Sequence, residues 1–320
     1  MNIRRRLIPT AALAALSLTA VSACSGDDTA AGSTDEFDVV ASFYPMQFLA
    51  EQIGGEHVNV TTLTEPGQEP HDLEISAKQT AQLQEADAVL YLKNLQPSVD
   101  EAVGQADVQP KIDAASLTTL EDHGDVEHDH AGDDGHEGEE HAEEGEHPLD
   151  PHVWLDPVKY AEIAKGVGAA FEKADPDHAA DYKAGTEALV GKLNGLDSKF
   201  TEGLKDTRSK VFFTNHAAFG YLAERYGLTQ EAISGISPES EPSPARIKEL
   251  QSEAKADGVT TVFYETLVSD RTARTLGKDA GLRTDVLDPL EGITDKSKGD
   301  DYFQVMESNL AALKTALGAK

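Results

Sequence analysis

Short strand-like segments that alternate with helical patterns constrain the fold of this chain more than any other feature. The strand-like segments are rich in β-branched and aromatic residues: FDVVASFYP, HVNVTTLT and ADAVLYLK in the first half, and SKVFFTN, VTTVFYE and LRTDVLD in the second. Helical patterns lie between them, and Ser76, Asp156 and Ser243 stand where N-caps are expected. Because strands that alternate with helices form parallel βαβ units, we predict an α/β protein with two lobes, each containing a parallel sheet.

One long helical pattern separates the two halves. Between Asp175 and Asp206, apolar residues recur at helical spacing over roughly thirty residues, which is long for a globular helix. We therefore predict an N-terminal lobe at 37–174, a rigid linking helix at 175–208 and a C-terminal lobe at 209–320. Ligands of open α/β sheets bind outside the carboxyl ends of the strands, so we expect a site in the cleft between the lobes.

The first residues have the pattern of an export signal. A basic segment, MNIRRRLIPT, precedes a short apolar one, AALAALSLTA, which is too short to span a membrane comfortably. We predict a signal peptide at 1–23, a lipidated Cys24 within the lipobox-like VSAC, and a flexible tether at 24–36. Cys24 is the only cysteine, so no intramolecular disulfide is possible. The expected location is extracytoplasmic, with a lipid anchor on the outer face of the bacterial cytoplasmic membrane.

Four side chains that can bind a metal follow strands or stand at turns. His71 lies in EPGQEPHDLEIS, His152 in DPHVWLDP, His216 in VFFTNHAAFG and Asp288 in VLDPLEG. Two come from each predicted lobe, and three imidazoles with one carboxylate fill a tetrahedral shell of the kind that Zn²⁺ accepts. Their spacing does not bring them together by itself, because each could equally be an isolated capping or surface residue.

Several segments resemble the zinc-binding members of the metal solute-binding lipoproteins of ABC importers. These segments are EPGQEPHDLEISAKQ, DPHVWLDP, NHAAFGYLAERYGL and GVTTVFYETLVSDRTARTLGKDAG. The resemblance extends from Phe37 to the C-terminus. It implies two α/β lobes joined by one rigid helix, with the metal between the lobes. It also implies delivery of Zn²⁺ to a membrane permease, with ATP hydrolysed by a separate subunit.

The resemblance also implies a set of ligands. Carried over by position, His71, His152 and His216 bind the metal together with an acidic group. Manganese-binding relatives tend to have a carboxylate where His216 stands, so the histidine favours zinc. For the fourth ligand we predict Asp288. Glu265 in FYET is the alternative, and in some members a residue beside the first histidine, here Glu69, or a water takes this place.

The stretch 121–147 is rich in histidine and acidic residues. It contains thirteen acidic residues, no Lys or Arg, and six of the eleven histidines: His123, His128, His130, His136, His141 and His147. Because it has almost no apolar surface, we predict a disordered loop in the N-terminal lobe. Such a loop offers weak, mobile sites that would gather or sense zinc; the alternative is an acidic insert that only solvates.

Charge and motifs restrict the remaining functions. The net charge of −31 and the lack of a basic, aromatic-interleaved patch argue against a nucleic-acid partner. A zinc hydrolase would need an open coordination position and a general base, and HExxH, GxSxG and P-loop motifs are absent from the sequence. We expect a monomeric binding protein that is not an enzyme. A surface zinc buffer or adhesin without a transport role is the alternative.

Overall fold

The computed structural model describes residues 36–123 and 149–320. Its first part is a four-stranded parallel sheet in the order β2-β1-β3-β4. The elements of this part are β1 (Phe37–Ala41), α1 (Tyr44–Gly54), β2 (Val58–Thr62), α2 (Ala77–Glu85), β3 (Ala88–Tyr91), α3 (Pro97–Gln105) and β4 (Lys111–Asp113). The signal segment, Cys24 and the tether lie outside the described residues, as does the acidic stretch between 124 and 148.

Two helices connect this sheet to the second part of the chain. They are α4 (Pro157–Ala174) and α5 (Ala179–Leu204), and α5 lies within the range predicted for the linking helix. Helix α4 begins as the sequence predicts, because the Asp156 carboxylate accepts a hydrogen bond from the amide of Val158 and Pro157 occupies the first turn.

The second sheet repeats the topology of the first. Its strands are parallel and lie in the order β6-β5-β7-β8. The elements are β5 (Val211–Thr214), α6 (Gly220–Arg225), β6 (Thr229–Ala232), α7 (Pro244–Ala256), β7 (Thr261–Tyr264), α8 (Arg271–Ala280), β8 (Arg283–Val286) and α9 (Tyr302–Leu317). The predicted α/β fold with two parallel-sheet lobes is confirmed.

Helix α5 forms the spine of the shared core. Its apolar stripe is buried: Tyr182, Leu189, Leu193, Leu196, Phe200 and Leu204. The stripe packs against α1 and α4 from the first half and against α9 from the second, so one continuous core includes residues of both halves. One helix therefore packs against both halves of the chain.

The structure adds elements that the sequence patterns did not indicate. Strand β1 ends at Ala41, and the SFYP residues that follow lead into α1, whose first turn tolerates Pro45 because that position needs no amide donor. Helix α3 and strands β4 and β6 were also not predicted. Within the described residues no helix is both long and apolar enough to cross a bilayer.

Candidate metal site

Loops at the carboxyl ends of both sheets carry the candidate side chains. His71 lies in the loop between β2 and α2, His216 lies two residues beyond the end of β5, and Glu291 lies in the loop between β8 and α9. His152 stands directly before a short 3-10 helix, Val153–Leu155, that leads into α4. Because parallel strands end at the same edge of a sheet, these loops converge in space although the residues are far apart in sequence.

Three imidazoles meet around one carboxylate oxygen. The Oε1 atom of Glu291 lies 3.2 Å from the Nε2 atom of His71, 3.2 Å from that of His152 and 3.3 Å from that of His216. The Nε2 atoms of His152 and His216 are themselves 3.4 Å apart. These four residues form a group in which each can offer one ligand atom to a metal ion.

The spacing of these atoms fits a tetrahedral zinc shell. Zinc binds imidazole nitrogen and carboxylate oxygen at about 2.0–2.1 Å, and a regular tetrahedron separates its ligands by about 1.63 times that length, which is about 3.3–3.4 Å. Four of the six separations between donor atoms lie between 3.2 and 3.4 Å, and all six are within 4.8 Å. Hydrogen bonds alone explain this arrangement less well than a bound metal does. If every Nε2 atom carried a proton, the Nε2 atoms of His152 and His216 would be two donors that face each other at 3.4 Å.

The donor group is almost completely removed from solvent. Glu291 and His152 are fully buried, and the side chains of His216 and His71 are 1% and 9% exposed. The second carboxylate oxygen of Glu291, Oε2, is buried and has no hydrogen-bond partner among the described residues. A buried, unpaired carboxylate oxygen beside three imidazoles is a further feature that a cation would satisfy.

Carboxylates behind two of the imidazoles orient their rings. The Nδ1 atom of His152 lies 2.8 Å from Asp150, and the Nδ1 atom of His216 lies 2.7 Å from Glu265. A proton held on each Nδ1 leaves the lone pair of Nε2 directed at the centre of the cluster. Glu265 also accepts a hydrogen bond from the side-chain amide of Asn215 at 3.0 Å. Glu265, expected as an alternative ligand, therefore faces the far side of the His216 ring.

Charge coupling shifts the pKa values of the cluster. Burial opposes protonation of His216, but Glu265 and Glu291 raise its pKa well above the usual value. The pKa of His152 is also raised, because Asp150 and Glu291 outweigh the effect of burial. Burial favours the neutral form of Glu291, but the nearby imidazoles, with His216 first, hold its pKa well below the usual range. Without a metal, His152 and His216 are therefore the imidazoles of the cluster that favour a proton.

Asp288 is not in the cluster, and the structure brings Glu291 there instead. The Asp288 carboxylate accepts hydrogen bonds from the amide of Leu290 at 2.9 Å, from Ser297 Oγ at 2.9 Å and from Thr266 Oγ1 at 3.2 Å. Burial raises its pKa. Asp288 closes the turn that carries Glu291, in which Leu290 has a φ of +60°.

Two long-range contacts hold the same turn. The side-chain amide of Asn309 on α9 pairs with the backbone of Asp288, and Trp154 donates its indole N–H to the carbonyl of Pro289 at 2.8 Å. Glu69, the other residue considered for the fourth position, accepts hydrogen bonds from the amides of His71 and Asp72 and lies outside the cluster. The sequence does contain a signal for Glu291: VLDPLEG carries two carboxylates, and our prediction chose the one at the strand end.

Of the six histidines predicted in the acidic loop, only His123 lies within the described residues. Its Nδ1 atom lies 2.8 Å from Asp150, and its Nε2 atom lies 2.9 Å from Glu224 on α6. Glu121, His123 and Glu224 form a second group of possible metal donors, in which Glu121 is paired with Lys159 at 2.6 Å. His123 is thus a packed residue and not part of a free loop.

The structure has two lobes, each with a parallel sheet, and buried imidazole and carboxylate donors lie between the carboxyl edges of the two sheets. These features define the class of two-lobed metal-binding proteins. The chain belongs to the family described as zinc-uptake complex component A, periplasmic (ZnuA), whose family model matches residues 39–316. This confirms the resemblance inferred from the sequence.

Individual relatives agree with this assignment. The chain is 38% identical over 306 residues to the zinc-binding lipoprotein AdcA of Streptococcus pneumoniae serotype 4, covering 94% of this chain and 59% of AdcA. It therefore spans little more than half the length of that relative. It is 35% identical over 309 residues to the high-affinity zinc uptake system protein ZnuA of Bacillus subtilis, covering 94% of each. The crystal structure of the Zn(II)-bound ZnuA-like domain of S. pneumoniae AdcA matches with a TM-score of 0.71 and 35% identity, covering 88% of this chain and 99% of that domain.

Proposed function

We propose that this protein captures Zn²⁺ outside the cytoplasm and delivers it to an ABC-type permease, which a separate ATPase subunit drives. The ligands we propose are His71, His152, His216 and Glu291. The observation that carries this proposal is that three imidazole nitrogens and one carboxylate oxygen are grouped together, with four of their six separations at 3.2–3.4 Å, the ligand spacing of a tetrahedral zinc shell. Membership of a zinc-uptake family supports zinc as the cargo.

The donor set favours zinc over the abundant hard cations. Ca²⁺ and Mg²⁺ prefer shells made of oxygen atoms, whereas three imidazole nitrogens suit zinc and its neighbours in the first transition row. One carboxylate in the shell leaves a zinc complex with a net single positive charge. Glu265 and Asp150, hydrogen-bonded behind two of the rings, supply negative charge close to that complex.

A carrier role fits the site better than catalysis. Four protein ligands complete a tetrahedral shell, and a catalytic zinc needs a position for water or substrate. The cluster is also buried, with His71 the most exposed of its side chains at 9%. Release of the metal to a permease must therefore involve movement of the loops that carry the ligands, and His71 lies on one of these loops.

Four further features belong to this proposal: the lipid anchor, the oligomeric state, the acidic stretch and the lobe boundaries. We propose a lipid anchor at Cys24 on the outer face of the cytoplasmic membrane, a monomer, and weak zinc binding by the histidines of the acidic stretch. It also includes the division into lobes at 37–174 and 209–320. Family membership supports an extracytoplasmic protein of zinc uptake.

The proposal can be tested by zinc binding and by uptake. Mature protein stripped of metal is titrated against a chromophoric zinc chelator, and we expect one tight equivalent that is lost in His216→Ala. In cells lacking the gene, zinc uptake at low zinc concentration should be restored by the wild-type chain and not by that variant. A wild-type protein that cannot compete with the chelator would overturn the proposed cargo. Tight binding without restored uptake would leave a zinc buffer and overturn the transport role.

A further inference from the structure

His123 connects the acidic stretch to the metal site through one buried carboxylate. Asp150 is 1% exposed, and its two oxygens serve two different histidines. Oδ1 accepts hydrogen bonds from the amide of His152 at 2.9 Å and from its Nδ1 at 2.8 Å, while Oδ2 lies 2.8 Å from Nδ1 of His123. The ring of His123 is thus two hydrogen bonds away from the ring of a proposed zinc ligand.

The side chain of His123 is packed in a pocket formed by α6 and by residues on either side of it in the fold. Its side chain is 16% exposed, and its ring lies edge-on against the ring of Tyr221, with centroids 4.3 Å apart. A Cβ atom added at Gly220 would lie 2.5 Å from the His123 ring, so α6 offers a glycine where the imidazole approaches most closely. The hydroxyl of Tyr221 donates to the carbonyl of Asp150 and accepts from the amide of Glu121, both at 2.8 Å.

Backbone pairing closes this pocket at its base. The amide of Asp150 donates to the carbonyl of Glu121 at 2.9 Å, so the backbone is paired across the two sides of 124–148. The His123 side chain therefore has little freedom to leave Asp150 while these contacts persist.

The two partners of His123 also define its protonation. Each ring nitrogen faces a carboxylate, that of Asp150 or that of Glu224. A neutral imidazole has one donor and one acceptor, so only the imidazolium can donate to both carboxylates. Consistent with this, Asp150 and Glu224 raise the pKa of His123 against the opposing effect of burial. A positive charge therefore stands against Asp150 on the side away from the metal site.

We propose that His123 is a positioning residue for zinc binding, which acts through Asp150 to hold the His152 ring with its Nε2 directed at the metal. Asp150 has no rotational freedom while both of its oxygens are engaged, and this constraint is passed to the His152 ring. Loss of the His123 donor leaves one oxygen of this buried carboxylate without a partner among the described residues, and the carboxylate can then turn away from His152. This inference rests on the proposed zinc site and adds a residue outside the ligand set.

The test compares zinc affinity in four full-length mature single variants and in the double variant that combines His123→Ala with Asp150→Asn. His123→Ala removes the donor, whereas His123→Asn keeps an N–H group close to the position of Nδ1. His178→Ala is the matched control, because His178 has the same kind of pair, with Asp175 at 2.7 Å, and no hydrogen bond between described residues leads from this pair to the metal site. Asp150→Asn removes the charge of the intermediary. Competition with a high-affinity chelator gives the dissociation constant of the tightest zinc equivalent.

We expect His123→Ala to weaken that equivalent by about 10-fold, at the lower end of the 10–100-fold effects found when the partners of metal ligands are changed. His123→Asn and His178→Ala should stay within about 2-fold of wild type, since changes that leave the supporting hydrogen bond in place have little effect on the metal. When Asp150→Asn is already present, adding His123→Ala should not weaken zinc affinity further, because the effects of two residues that act through the same contact are not additive.

Three results would overturn the inference: unchanged affinity in His123→Ala, an equal loss in His123→Asn, or a full additional loss in the Asp150→Asn background. If Asp150→Asn does not fold, the comparison of His123→Ala with His123→Asn decides. A wild-type chain that binds no zinc would instead refute the zinc site itself, so the two failures can be told apart.

Discussion

Replacing Glu291 by glutamine should weaken zinc binding strongly and leave the fold intact. The change keeps the size of the side chain and removes one charge. Glu291 is fully buried, and its Oε1 atom lies 3.2–3.3 Å from three imidazole nitrogens. No other carboxylate of the described residues belongs to this donor group. The variant therefore tests whether this oxygen is the fourth ligand.

The size of the effect follows from two opposing consequences of that charge. At an effective dielectric constant of about 20, one unit charge interacts with another about 4 Å away by about 4 kcal/mol, and zinc carries two charges at a shorter distance. In the metal-free protein, however, Glu291 also raises the pKa of His216 and of His152, so it favours the protons that zinc must displace. The displaced protons offset about one of the two zinc charges, so the net loss is close to the interaction of one unit charge, about 3–4 kcal/mol, or roughly 10²–10³-fold in affinity.

The assay is competition with a chromophoric chelator at neutral pH, and Asp288→Asn is the control. Asp288 holds the turn that carries Glu291 and does not enter the cluster, so its variant should lose clearly less zinc affinity than Glu291→Gln, at most about 10-fold. It should also lose about 1–3 kcal/mol of unfolding free energy in urea. Glu291→Gln with an affinity within about 3-fold of wild type would refute the assignment. So would an equally large loss in Asp288→Asn, which would return the fourth ligand to the residue chosen from the sequence.

Three further predictions concern the ligands, the metal-free protein and the acidic stretch. Glu265 contacts the side of the His216 ring that faces away from the cluster, so losing its charge should weaken zinc binding less than losing an imidazole ligand. Chelator competition should therefore show a smaller loss of zinc affinity in Glu265→Gln than in each of three alanine variants. These variants are His71→Ala, His152→Ala and His216→Ala. Because the pKa of His216 is raised on folding, its contribution to the stability of the metal-free protein is fully present below about pH 6.5 and is lost as the pH rises through the folded-state pKa. Urea unfolding from pH 5 to pH 9 should show this loss, and Glu291→Gln should reduce it; an unchanged profile in the variant would contradict the coupling. Deleting 124–148 should leave the tight zinc equivalent and the unfolding free energy nearly unchanged, because closure entropy varies slowly with loop length. The deletion should remove the weaker zinc equivalents. Equal total zinc stoichiometry in the two proteins would mean that the stretch only solvates.

Local sequence alone determined much of the fold, because its signals act within a few residues. Ser76 caps α2 with a full capping box, and Ser243 caps α7 through the amide of Arg246. Gly281 ends α8 with a φ of +72°, a conformation that favours glycine. The apolar spacing of α5 predicted its buried face, and the alternation of strands and helices predicted parallel sheets. Strand β4 has only three residues, and β6, TQEA, is mostly polar, so neither has the apolar run that marks the other strands.

The tertiary structure alone decided which carboxylate joins the three imidazoles. Asp288 and Glu291 are three residues apart in one loop, and nothing local distinguishes them as donors. The choice depends on Asn309, which lies 21 residues from Asp288, and on Trp154, which lies 135 residues from Pro289; both hold the turn so that Glu291 points inward. The sequence shows which side chains are chemically able to bind a metal, but the direction of each side chain depends on packing between elements that are distant in the chain.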